Sequence, residues 1–63
     1  MTNKDAIDEL YHLWRVCSER RIDASRMLNR AADPEPLRRI IARETHAMLA
    51  LTLAIEALKR NLQ

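Results

Sequence analysis

The sequence predicts an all-α fold, an antiparallel two-helix hairpin of the coiled-coil kind, completed by oligomerisation or by a partner chain. Three observations predict it. The 63 residues contain no glycine and no phenylalanine and are dominated by Ala, Leu, Arg and Glu, a strongly helix-forming mixture. Two long stretches repeat apolar residues at alternating steps of three and four, which places each set on one side of an α-helix. The two stretches are separated by the segment Asp33-Pro34-Glu35-Pro36, the one clear break in the chain.

Helix 1 is expected over about residues 3–31. Thr2 is placed to cap it, with Asp5 three positions on and Asp8 and Glu9 close behind, where acids complement the helix dipole. Its seam is Ile7, Leu10, Trp14, Cys17, Ala24, Leu28 and Ala31, with one charged member, Arg21. The turn is expected over residues 32–35. Aspartate caps well, proline at the first helical position needs no amide hydrogen bond, and a residue before proline is pushed toward extended geometry. Helix 2 is then expected over about residues 35–62, with the seam Leu37, Ile41, Met48, Leu51, Ile55, Leu58 and Leu62, again with one charged member, Glu44.

A connection this short makes the helices antiparallel. Folding the chain back at residues 32–33 sets Leu28 opposite Leu37, Ala24 opposite Ile41, Cys17 opposite Met48, Trp14 opposite Leu51, Leu10 opposite Ile55, and Ile7 opposite Leu58. Arg21 then falls opposite Glu44. A structural ion pair between them is expected, fixing the register by excluding slipped alternatives.

A chain below about 70–80 residues seldom gains more than about 3–5 kcal/mol from its own core and usually needs a staple or a partner. A single cysteine, Cys17, excludes an intramolecular disulfide. One cysteine and two histidines without metal-ligand spacing make no structural zinc site, and no cofactor is expected. Association remains, as a homodimer or four-helix bundle or with a different protein. Apolar residues off the seam are the candidates to mediate it, namely Leu13, Val16, Met27, Ile40, Ala47, Leu49 and Leu53. Contiguous exposed apolar surface of this kind marks interaction sites.

Other candidates were weighed by position. His12 and His46 lie about two turns apart in the folded-back register and do not converge on a site. Cys17 sits in the seam as a structural thiol. Trp14 is the largest core residue, and the amphipathic Tyr11 suits a core edge or a partner contact equally. An enzyme needs a concave pocket with converging polar groups, which a hairpin of this size has no room for. Net charge is +2, but residues 15–43 hold eight arginines against four acids, a local +4. Arg26, Arg30, Arg38, Arg39 and Arg43 gather at the loop end and form the basis of an alternative reading, binding of RNA or DNA phosphates. No secretory signal or membrane span is read. The longest weakly polar run, Ala47 to Ala57, contains Glu56 and is well short of the ~20 residues a bilayer needs. A cytoplasmic location with no membrane partner is expected.

The turn Ala32-Asp33-Pro34-Glu35 and the Ala/Leu-rich stretch ending Ala54-Ile55-Glu56-Ala57-Leu58 resemble those of the small two-helix co-chaperones of bacterial type III secretion needle subunits, the YscE/PscE kind. The resemblance spans residues 24–60. It implies a chaperone subunit that binds a second subunit, the two together holding an aggregation-prone needle protein in the cytoplasm. In length, hairpin form and the small-plus-large layer Ala24/Ile41, the chain is also similar to the plasmid copy-number regulator Rop, a homodimeric four-helix bundle that binds RNA. The residues themselves do not match Rop.

Overall fold

The computed structural model describes residues 2–62. Helix α1 spans Asn3–Leu28 and helix α2 spans Glu35–Asn61, packed against each other as an antiparallel hairpin. The fold is the all-α hairpin that the heptads predict.

Both helix starts follow local chemistry. Thr2 is extended and its hydroxyl accepts from the Asp5 amide at 3.1 Å, while the Thr2 amide donates to Asp5 Oδ2 at 3.3 Å. This reciprocal capping box satisfies two otherwise orphaned donors. At α2 the Asp33 carboxylate accepts from the Glu35 amide at 3.2 Å, and the Pro34 carbonyl already accepts from the Arg38 amide at 3.0 Å. Pro36 occupies the first turn, where its missing donor costs nothing. Helix α1 ends at Leu28, three residues before the expected 31. Arg30 and Ala31 donate to Met27 and Leu28 carbonyls three residues back, a tightened last turn. The reversal therefore occupies residues 29–34 and includes the helix-forming pair Ala31-Ala32, which local propensity alone would have kept helical.

Lettering the heptads with the seam at a and d sorts the remaining positions into two faces. The g and c positions flank the seam on one side, with Ala6, Glu9, Leu13, Val16, Arg20, Asp23 and Met27 on α1. Their counterparts on α2 are Ile40, Arg43, Ala47, Ala50, Ala54 and Ala57. The e and b positions flank it on the other side. Shallow grooves there are lined jointly by Tyr11, Arg15, Thr52, Glu56 and Lys59, and by Ile22, Ser25 and Thr45, confirming that the e and b rows of the two helices share one face.

The seam buries Ile7, Ala24, Met48, Ile55 and Glu44, and among the described residues no side chain is sealed from solvent altogether. Leu62, expected in the seam, is more than half exposed. It lies one residue past the end of α2, where the folded-back register sets it opposite the exposed Asn3 at the start of α1. The hairpin is elongated, with Cα extents of 49 × 14 × 14 Å. Its radius of gyration is 14.6 Å, against about 10.6 Å for a compact chain of this length.

Candidate functional site

The surface carries more apolar area than two helices can hide. Leu13 is 43% exposed, Met27 57%, Leu49 60% and Leu53 57%. Val16, Ile40 and Ala47 are partly covered. The hairpin divides these seven residues between two places. Leu13, Val16, Met27, Ile40 and Ala47 occupy the g/c face. Leu49 and Leu53, at b and f positions one turn apart, form a ridge on the opposite and outer side of α2. The single stripe expected from the sequence is therefore two surfaces, because the three-four step that joins Ala47 to Ala54 passes Leu49 and Leu53 on the far side of the helix.

Residues that the sequence reading passed over complete the g/c face. Ala50 and Ala57 are exposed beside the partly covered Ala47 and Ala54, so this side of α2 presents almost no side-chain bulk. Glu9 and Arg20 are exposed on the matching side of α1. Heptad position is the signal that finds them. The e/b face is polar by contrast. Thr45 and Thr52 donate their hydroxyls to the Ile41 and Met48 carbonyls of their own helix, at 2.7 and 2.9 Å. At the open end Lys59 Nζ donates to the Tyr11 hydroxyl at 2.6 Å and lies 5.2 Å from the ring centroid. Tyr11 is thus a core-edge residue tied across the hairpin. Beside it a groove of about 330 Å³ runs past Trp14, Thr52, Ile55 and Glu56.

Glu44 is the one buried charged side chain among the described residues, 4% exposed. Its expected partner, Arg21, is not the cation that reaches it. Arg20 NH1 lies 3.9 Å from Glu44 Oε1 and Arg43 Nε 3.8 Å away, while Arg21 lines the e/b groove with Ile22, Ile41 and Thr45. The reason is geometric. Arg21 occupies the seam layer, but its long side chain leaves on the polar side, whereas Arg20 at g and Arg43 at c stand over the carboxylate from the other. Both arginines are mostly exposed and beyond hydrogen-bond distance, so the attraction is screened by water and modest. Within the seam, hydrogen bonding to the Glu44 carboxylate raises the Cys17 thiol above its ordinary value. Burial and the carboxylate's charge add to this, and Arg20 opposes it.

The loop-end arginines do not assemble into a face. Arg26 and Arg39 lie at f positions, Arg43 at c and Arg38 at e, so they point around both helices, while Arg30 lies in the reversal beyond the end of α1. Arg38 is paired with Glu35 at 3.3 Å and Arg43 stands over Glu44. His12 and His46 are exposed at f positions on opposite helices. Among the described residues, no group of three or more His, Cys, Asp or Glu could hold a metal ion, and no helix is long and apolar enough to cross a membrane. Comparisons with family models, with curated proteins and with solved structures return no match.

Proposed function

We propose that this chain is a small protein-binding subunit, an adaptor or chaperone, that binds helices of another protein without catalysis. The observation that carries the reading is the exposure of Leu13, Met27, Leu49 and Leu53 on an otherwise regular hairpin. Large apolar side chains at i, i+4 spacing are the anchors of helix-in-groove recognition. Buried apolar area would drive affinity, and the surrounding charges would set partner choice. The most specific form of the proposal follows the resemblance in length, hairpin form and Pro-Glu turn. It is a bacterial, cytoplasmic co-chaperone of type III secretion needle subunits.

The scattering of the arginines weighs against the alternative, a homodimeric regulator gripping RNA or DNA phosphates. Salt separates the two readings. The tethered chain is exposed to extract of the cells that make it, at about 50 and about 500 mM salt. The proposal expects a protein retained at both, and lost when Leu49→Ser and Leu53→Ser are combined. Nucleic acid recovered only at low salt, and lost in Arg38→Ala with Arg39→Ala, would replace it.

A further inference from the structure

We infer that the g/c face is covered by a second copy of this chain, lying antiparallel, with its loop over the open end of the first. The dimer rests on the reading of the hairpin as a partner-binding module, and it concerns the face that leaves Leu49 and Leu53 free.

Each row of the face is self-complementary about its own centre. On α1, Glu9, Leu13, Val16 and Arg20 follow steps of four, three and four. On α2, Ala47, Ala50, Ala54 and Ala57 follow steps of three, four and three. Alternating c and g positions read the same in both directions on any heptad helix, so an antiparallel copy can match each row to itself, and the residues decide whether the match is favourable. Leu13 meets the partner copy's counterpart of Val16, and the row ends Glu9 and Arg20 meet with opposite charge. The alanine row meets its own image, and the missing side chains let the two α2 helices approach closely. The centre of the first row falls between Trp14 and Arg15, and that of the second at Thr52. The folded-back register sets Trp14 opposite Leu51, so the first centre lies about one and a half residues, roughly 2 Å, from the level of the second, and a two-fold axis placed between the two levels serves both helices.

A parallel copy would instead lay α1 on the other chain's α2. Arg20 and Arg43 of both chains would then crowd at the level of Glu44, and Glu9 would face alanine. Charge therefore selects the antiparallel arrangement.

The test is the dimer dissociation constant of the full chain, from mass and helicity over a dilution series. Ala50 is exposed, so Ala50→Arg leaves the hairpin helical and is expected to raise the constant at least about a hundredfold, whereas Leu49→Arg leaves it unchanged. Glu9→Arg and Arg20→Glu are each expected to raise it about tenfold, two symmetry-related pairs being lost at about threefold each. Together they restore it, because the reversed charges still match. A monomeric wild type, dissociation by Leu49→Arg instead of Ala50→Arg, or charge reversals that fail to rescue one another would each overturn the dimer. None of these decides the retention assay on Leu49 and Leu53, which tests the other surface.

Discussion

The carboxylate of Glu44 lies 3.9 Å from the guanidinium of Arg20, and Arg21, its neighbour in sequence and its counterpart in the seam layers, points away to the other face. Glu44 is thus a buried carboxylate (4% exposed) attended by exposed surface cations. Replacing a poorly compensated buried charge with an apolar residue of similar size is neutral or stabilising. Glu44→Leu is expected to raise stability by about 1–2 kcal/mol in urea melts. A loss of comparable size would mean that the arginines hold the carboxylate far more firmly than their distances indicate.

The Cys17 thiol makes stability depend on alkaline pH. Its value in the folded chain is raised above 9.0, so the unfolded chain ionises first. The stabilisation is complete below the unfolded value and drains away as pH rises through the folded one. Denaturant melts in reducing buffer at about pH 8 and about pH 10 are expected to show wild type losing more stability than Cys17→Ala. Parallel pH dependences would remove the thiol–carboxylate contact from the account.

The capping box at Thr2 fixes where α1 begins. Thr2→Ala removes the acceptor for the Asp5 amide and is expected to cost about 1 kcal/mol. For a domain of this size that is a drop of about 4–8 °C in Tm, read by circular dichroism. An unchanged Tm would show that the first turn is frayed in solution and contributes nothing.

Leu49 and Leu53 contribute little to the hairpin that carries them. Leu49→Ser with Leu53→Ser is expected to change folding stability by no more than about 0.5 kcal/mol per site, while abolishing partner retention. If the pair of substitutions unfolds the isolated chain, the ridge is part of the chain's own core.

The seam, the hairpin and the capping box were legible because each is written in short-range spacing. Ile7 to Leu28 and Leu37 to Leu58 carry an apolar heptad interrupted once each, at Arg21 and Glu44, and Thr2 with Asp5 carries a complete box. The end of α1 was not legible, because Ala31-Ala32 favours helix and only the space needed to reverse the chain stops it at Leu28. The partner of Glu44 was missed for a different reason. Layer counting gives the position of a Cα, but an arginine side chain spans more than a helical turn and can leave the layer on either side. The division of the apolar residues was available in principle. Leu49 and Leu53 fall at b and f once the heptad is lettered, and tracking those letters separates them from Ile40 and Ala47.

The central structural claim is that the g/c face of this hairpin is covered by a second copy of the chain. Solution mass by light scattering, with helicity followed on dilution of the purified chain, tests it most directly. The account predicts a mass of twice the 7.4 kDa chain at high concentration, with helicity falling as the species dissociates. A 7.4 kDa monomer that keeps full helicity at every concentration would contradict it, since such a hairpin needs no second copy over its g/c face.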